Sequence, residues 1–183
     1  MKRETALDIL NEMIANASLK AHCLSVGYVC EAYARQHGES EDDFFIAGVL
    51  HDADYEKFPN EHPKIIVGQL TNLGETEIAQ AISCHGLCFG IAAVSLLDKV
   101  LMASDELTGF VMACAKIRPD GLDTLDEHSV AKKFRTPKFA AGVSREEVEF
   151  ALDQLGVDFD SYTRFIIAAL RPHARELNLP TNL

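Results

Sequence analysis

Apolar residues recur at helical spacing along almost the whole chain. In the first segment, over 4–16, they repeat every three or four positions and predict an amphipathic helix. A second helix is predicted over 20–36, where His22, Val26 and Val29 share one face and Gly38 follows as a terminator. The sequence offers no convincing strand. The pattern therefore predicts an all-α fold.

Capping residues predict where the later helices begin. Caps or first-turn residues for five helices are found at Ser40, Pro63, Thr76, Ser95 and Ser144. The Ser95 helix should run to about residue 116, and the Ser144 helix, which opens with a full capping box, should end near Gly156. Short helical pieces are expected over 129–134 and 137–141, and a last helix over about 161–170.

Six ionisable residues fall on core-facing helical positions or at helix ends. They are His22, His51, Asp52, His62, His85 and Asp105. An isolated His-Asp pair is more often a helix-end hydrogen bond than a ligand pair, but burying six such groups without a partner would be costly. Zn, Mn, Fe and Ni accept mixed nitrogen and oxygen donors. The array can therefore hold one or two divalent ions and leave a position open for water.

Composition and charge narrow the classes of function. The 183 residues are 48% hydrophobic and 25% charged, which suits one soluble domain over 1–183. The net charge of −11 argues against broad nucleic-acid binding. The N-terminus does not read as a secretory signal, no run is long enough to span a membrane, and the five cysteines suit reduced thiols, so a cytoplasmic location is expected. A small phosphorylated substrate remains compatible, because bound metals reverse the local potential.

The chain resembles the HD-domain superfamily of metal-dependent phosphohydrolases over about residues 20–118. Four motifs carry the resemblance: LHD at 50–52, EHP at 61–63, AISCH at 81–85 and ASDEL at 103–107. It is similar in particular to a small bacterial subgroup of predicted HD hydrolases, through DELTG at 105–109, IRP at 117–119 and two motifs at 129–134 and 139–143. The resemblance implies a helical HD-domain bundle with a helical C-terminal extension over about 119–183.

The resemblance also implies roles for the six residues. The first metal would be held by His22, His51, Asp52 and Asp105. His62 and His85 match the histidines of members with a second metal, where Asp52 would bridge; this larger set is similar to that of symmetrical diadenosine tetraphosphate hydrolases. Asp52, His62 and His85 are thus predicted to be catalytic. Alternatively, His62 and His85 bind the substrate phosphate or donate a proton to the leaving group. The ion would be Mn, Fe, Co, Ni or Zn, with Mg possible.

Two departures from the family patterns bear on the substrate. Ala53-Asp54 stands where a subgroup has Ile-Gly, and the Gly-Tyr-Pro motif of cyclic-dinucleotide phosphodiesterases is missing. Cations are also expected near a phosphate. Lys57 follows the metal pair and Arg118 precedes a proline, and both are predicted to bind the substrate phosphate. For Lys132 and Lys133, a solvated surface and a functional role both remain open.

Two functions of different class follow. The first is a metal-dependent phosphohydrolase that cleaves a phosphate ester or anhydride, expected to be that of a nucleotide, with water activated by the metal. The alternative is a non-catalytic HD module that binds a nucleotide or partner as a sensor. A module that only binds would be expected to lose ligands, whereas all six positions are filled here. The sequence therefore favours the hydrolase.

Overall fold

Helices make up the regular structure of residues 1–181, the part of the chain that this computed structural model describes. Within these residues there is no strand, so the prediction of an all-α fold is confirmed. The α-helices are α1 (Arg3–Met13), α2 (Ala17–His37), α3 (Glu41–Leu50), α4 (Lys64–Asn72), α5 (Thr76–Ser83), α6 (Leu96–Lys116), α7 (Glu127–Phe134), α8 (Arg145–Leu155) and α9 (Phe159–Leu170). Short 3-10 turns lie at Leu87–Phe89 and Arg171–His173.

Several predicted helix ends are confirmed by their capping geometry. Ser95 caps α6 and forms a capping box with Asp98. Ser40 accepts the N–H of Asp43 at the start of α3. Gly38 and Gly156 end α2 and α8 in the left-handed conformation that glycine adopts without steric cost. These local signals act within one turn, which is why the sequence alone predicts them.

Other predicted helix ends are wrong by a few residues. The first helix ends at Met13, and the second begins at Ala17, earlier than the predicted residue 20. The cause is Asn16, whose side chain accepts the N–H groups of Ser18 and Leu19 and so starts α2. The predicted starts of α4 and α5 are each off by one residue. Pro63 was expected in the first turn of α4 but precedes it, and Thr76 was expected as the cap of α5 but is its first residue.

The predicted helical piece over 137–141 is a series of turns. Its carbonyl groups face the guanidinium of Arg145, which donates to Phe139 O at 2.5 Å and to Ala140 O at 2.7 Å. The N–H of Val143 also donates to Ala140 O at 3.0 Å, which is the i+3 bond of a turn rather than the i+4 bond of an α-helix. The carbonyl groups of this segment are thus satisfied by turn bonds and by the side chain of Arg145.

Helix α2 lies between α3, α6 and α9. Two glycines allow its close approach to α3: a Cβ atom added to Gly48 would lie 2.6 Å from the backbone of Gly27. A side chain at this crossing would therefore push the two helices apart. The contact matters for function, because α2 carries His22 and α3 leads directly into His51 and Asp52.

The segment after α6 packs back onto the helices that precede it. Helix α9 contacts α2 and α6, and α8 contacts α6. A buried hydrogen bond of 2.7 Å joins the hydroxyls of Ser104 on α6 and Tyr162 on α9. None of the helices in residues 1–181 combines the length and the apolar character that crossing a membrane requires.

Candidate metal centre

The fold brings the six predicted donor residues together from five helices. His22 lies in the second turn of α2, His51 and Asp52 directly follow α3, His62 lies before α4, His85 lies after α5 and Asp105 lies inside α6. His51 is completely buried, and His85 is nearly so. Two donors, His22 and Asp105, lie within helices and the other four lie just outside helix ends, so their meeting depends on how the helices pack.

Four of these residues form a first donor set. Nε2 of His22 lies 2.9 Å from Oδ1 of Asp105 and 3.2 Å from Nε2 of His51. Nε2 of His51 lies 3.2 Å from the same Asp105 oxygen and 3.5 Å from Oδ2 of Asp52. Ligands of one ion with bonds of about 2.1 Å lie about 3.0 Å apart at right angles and about 3.4 Å apart at the tetrahedral angle. The observed spacing matches that of ligands around one ion.

A second donor set shares Asp52 with the first. Oδ1 of Asp52 lies 3.3 Å from Nε2 of His62 and 3.8 Å from Nε2 of His85. These three residues are close enough to one another to hold an ion, as are His22, His51 and Asp52. Each oxygen of the Asp52 carboxylate thus faces a different donor set, which is the arrangement that a bridging ligand requires.

Hydrogen bonds on the far side of three imidazole rings determine which nitrogen faces the centre. Nδ1 of His51 lies 2.7 Å from the carbonyl oxygen of Gly48, and Nδ1 of His85 lies 2.6 Å from that of Ile82. A carbonyl oxygen only accepts, so each Nδ1 carries hydrogen and the neutral ring has its lone pair on Nε2. Nδ1 of His62 donates in the same way to Asp54 at 2.7 Å. All three Nε2 atoms are therefore oriented as ligands.

The orientation of these Nε2 atoms shows whether the residues present are suited to binding a metal ion. Lone pairs of Nε2 and carboxylate oxygens face one another at 3.2–3.8 Å, and such groups repel unless a proton or a cation lies between them. A divalent cation would accept from all of them at once. The mixture of imidazole and carboxylate suits Zn, Mn, Fe, Co and Ni. The residues present therefore fit one or two such ions.

The close spacing of imidazoles and carboxylates also shifts the pKa values of three of these residues. Burial opposes a charged His51, but the attraction of Asp52 and Asp105 outweighs it and raises the pKa of His51 to about 9. Burial also opposes ionisation of Asp105, yet His51 and His22 hold the pKa of Asp105 well below its usual range. Burial and the neighbouring His51 lower the pKa of His85. His85 is thus a neutral ring near pH 7, which suits a ligand better than a proton donor.

A cavity of about 700 Å³ opens onto the two donor sets. Its wall includes the aromatic rings of Tyr55 and Phe89, which also contact His62 edge-on with centroids 5.3 and 5.6 Å apart. Two further carboxylates, those of Glu106 and Glu147, line the same cavity. Pockets of this size accommodate small organic ligands. The donor sets are therefore accessible to a substrate.

The structure places the two predicted phosphate-binding cations away from this cavity. Nζ of Lys57 donates to the carbonyl oxygen of Glu12 at 2.9 Å, because the turn after Asp52 directs it toward α1. Arg118 donates to Thr124 beyond the end of α6. Helix α6 continues for eleven residues after Asp105, about 16 Å at helical rise, and Arg118 lies beyond its end. Lys57 was suggested by its place just after His51-Asp52, and Arg118 by the fit of a planar guanidinium to phosphate; neither side chain lines the cavity.

Sequence reasoning missed the role of Asp54. This carboxylate is completely buried and accepts two hydrogen bonds, from Nδ1 of His62 at 2.7 Å and from the N–H of Ile66 at 3.0 Å. It therefore orients His62 without facing the cavity itself. The sequence does show a second acidic residue two positions after Asp52, but in the comparison with the family it stands out only as a departure from the Ile-Gly of a subgroup.

Glu106 and Glu147 were also missed as cavity residues. Burial and the neighbouring Asp105 raise the pKa of Glu106 to about 7. Burial and Asp105 also raise the pKa of Glu147. Glu106 follows Asp105 directly, so its place near the centre could have been expected from sequence. The position of Glu147, 41 residues after Glu106, could not be expected, because it depends on how α8 packs against α6.

Comparison with known proteins adds one finding at the level of family. Residues 19–109 match the family model described as HD domain. The matched range contains all six donor residues and ends four positions after Asp105. No curated protein and no solved structure was found to match the chain.

Proposed function

The chain belongs to the HD-domain superfamily, and on that premise we propose that it is a metal-dependent phosphohydrolase acting on a phosphate ester or anhydride of a nucleotide. The observation that carries the proposal is the shared carboxylate of Asp52, which faces His51 with one oxygen and His62 with the other. A site that only stabilised the fold would gain nothing from a donor set open to a cavity of about 700 Å³.

The proposed ligands fall into two groups. The first ion would be held by His22, His51, Asp52 and Asp105, and the second by Asp52, His62 and His85. Divalent ions held there would lower the pKa of bound water from about 15.7 toward about 7 and would stabilise the charge that develops on phosphate oxygens. The protein itself contributes the fixed orientation of the donors, since His51 and His85 are locked by backbone carbonyls.

His62 supports a second role within the same reaction. Its Nε2 faces Asp52 and its Nδ1 donates to the buried carboxylate of Asp54, which would stabilise the ring if it became protonated. In a centre with a single ion, His62 could then donate a proton to the leaving group. His85 does not suit this role, because its lowered pKa keeps the ring neutral.

The nucleotide part of the proposal is supported by the size and lining of the cavity. Tyr55 and Phe89 present aromatic surface beside the imidazoles, against which a planar base can pack. A volume of about 700 Å³ lies in the range that holds ligands of nucleotide size.

The test combines metal analysis with a substrate screen. The protein is purified without oxygen, its metals are measured by elemental analysis, and a panel of nucleotides is screened with Mn, Fe, Co, Ni, Zn and Mg. We expect release of phosphate or of a nucleotide product with at least one metal. Asp52→Ala should lose bound metal and activity together, because both donor sets depend on this residue.

Two results would contradict the proposal. Full metal content in folded Asp52→Ala would show that the ion is held elsewhere. A wild-type protein that binds both metal and nucleotide, but releases no product with any metal, would instead favour the non-catalytic sensor.

A further inference from the structure

The ring of Phe89 packs against both imidazoles of the second donor set. Its centroid lies 5.1 Å from that of His85 and 5.6 Å from that of His62, at interplanar angles of 56° and 68°. Both distances fall in the range of about 4.5–7 Å over which aromatic rings attract one another. The ring contacts of His22 and His51, by contrast, are with other imidazoles. Phe89 is therefore a neighbour of the second donor set in particular.

Packing of the hydrophobic core does not explain the position of this ring. Phe89 lies in a surface turn, where Leu87 is 37% exposed and Ile91 is 44% exposed. Phe89 itself is partly buried, yet it is not among the residues of 1–181 that form the hydrophobic core or pack against it. Its ring meets the two imidazoles instead, and it also lines the cavity. The ring thus serves the site rather than the core.

Two glycines give the turn at 86–90 the shape that brings Phe89 to the imidazoles. A Cβ atom on Gly86 would lie 3.0 Å from Cε2 and 3.3 Å from Cδ2 of Phe89, so only a residue without a side chain leaves full room for the ring. Gly90 ends the 3-10 turn Leu87–Phe89 with a φ of 68°, in the left-handed region that favours glycine. The turn therefore accommodates the ring where it contacts His62 and His85.

The hydrogen bonds on the far side of these imidazoles leave one motion unrestrained. Nδ1 of His62 is held by Asp54 and Nδ1 of His85 by the carbonyl oxygen of Ile82, but a single hydrogen bond does not fix the plane of a ring. A contact on the ring itself restricts the tilt that remains. The apolar shell around a metal site also controls the access of water, which competes for the same lone pairs. Both effects of Phe89 would favour an ion at Nε2.

We propose, on the basis of the two donor sets of the proposed function, that Phe89 is a positioning residue for the second ion. Its ring holds the imidazoles of His62 and His85 in the orientation in which both Nε2 atoms face Asp52. The turn at 86–90 thereby determines whether the centre holds one ion or two. The first ion does not depend on this turn, because His22 and Asp105 lie within helices.

The test follows metal binding in the absence of substrate. Metal-free protein is titrated with Mn²⁺ under anoxic conditions, and His62→Ala identifies the binding event that belongs to the second ion. In Phe89→Ala we expect this event to weaken by about tenfold or more, while the other stays within about twofold of wild type. The retained event shows that the variant is folded. Electron paramagnetic resonance, which distinguishes an isolated Mn²⁺ from a pair that shares a ligand, should show fewer pairs.

A second variant displaces the same ring without replacing it. The backbone of Gly86 is extended, with φ −117° and ψ 141°, so alanine introduces no backbone strain and acts through the ring of Phe89. Gly86→Ala should weaken the second event by about threefold, and it should have no further effect in the Phe89→Ala background. Leu87→Ala is the matched control, since Leu87 is exposed on the same turn and does not line the cavity.

The outcomes separate the inference from the proposed function. A single binding event in the wild type would overturn the inference, as would an unchanged second event in Phe89→Ala or equal weakening of both events. An effect of Gly86→Ala that persists in the Phe89→Ala background would also overturn it. Turnover of the nucleotide panel is assayed in parallel. Weakening of the second event alone, in a protein without turnover, would refute the hydrolase and leave the inference standing, whereas turnover with an unchanged second event would do the reverse.

Discussion

Replacement of Asp54 by asparagine should weaken one metal site and leave the other unchanged. The carboxylate of Asp54 offers two acceptor oxygens, and each is used by one N–H group, that of His62 or that of Ile66. Asparagine keeps the shape but offers only one oxygen and an NH2 group. One of the two N–H groups, that of His62 or that of Ile66, must therefore face the NH2 group of the asparagine, which is also a donor.

The imidazole can adapt to this change, but the backbone cannot. The asparagine oxygen should remain with Ile66, so the NH2 group faces Nδ1 of His62, and the ring moves its hydrogen to Nε2. In that form Nε2 donates to Asp52, 3.3 Å away, and no longer offers a lone pair to an ion. Restoring the ligand form would leave a buried donor unpaired, at a cost of about 1–3 kcal/mol. We therefore expect the second ion to bind roughly 10–100-fold more weakly.

The assay is a calorimetric titration of metal-free protein with Mn²⁺ under anoxic conditions. The wild type should show two binding events, and Asp54→Asn should weaken only one of them, because His22, His51 and Asp105 are untouched. Glu61→Gln is the control: it removes the charge of an exposed residue next to His62 in sequence. Unchanged affinity at both sites in folded Asp54→Asn would refute the reasoning, and so would loss of the event assigned to His22 and His51.

Three further predictions concern other parts of the structure. Gly48→Ala should lower the free energy of unfolding by about 1–3 kcal/mol in urea titrations, since its Cβ would meet the backbone of α2 at 2.6 Å; a change below about 0.5 kcal/mol would contradict the close helix contact. In metal-free protein, the pKa of His51 is raised from 6.5 to about 9, so its stabilising interaction is complete below about pH 6.5 and is lost as pH rises through about 9. The melting temperature in chelator should fall over that interval, and less so in Asp105→Asn; parallel curves would argue against the ion pair. Lys57→Met and Arg118→Met should each leave kcat/KM within about twofold of wild type, because neither side chain lines the cavity. A tenfold fall in either variant would show that the substituted cation does bind the substrate phosphate.

The sequence by itself determined the features that depend on local or periodic signals. Helical periodicity predicted the all-α fold, and serine caps and terminal glycines predicted several helix ends, because capping bonds form within one turn. The six donor residues were also predicted to converge. That prediction was possible because each is an ionisable residue at a core-facing position or helix end, where a satisfied partner is required. The structure brings all six together, and their role as ligands remains a prediction.

Only the tertiary structure decided which residues surround these donors. Asp54 orients His62 through a hydrogen bond across eight residues, and Glu147 reaches the cavity only because α8 packs against α6. Lys57 was predicted from its place after His51-Asp52 and Arg118 from its planar guanidinium, but each donates its hydrogen bonds elsewhere, to Glu12 and to Thr124. Metal donors can be predicted from a chain because their chemistry restricts the residue types. The lining of a substrate cavity cannot, because any side chain can serve there and packing alone selects which ones do.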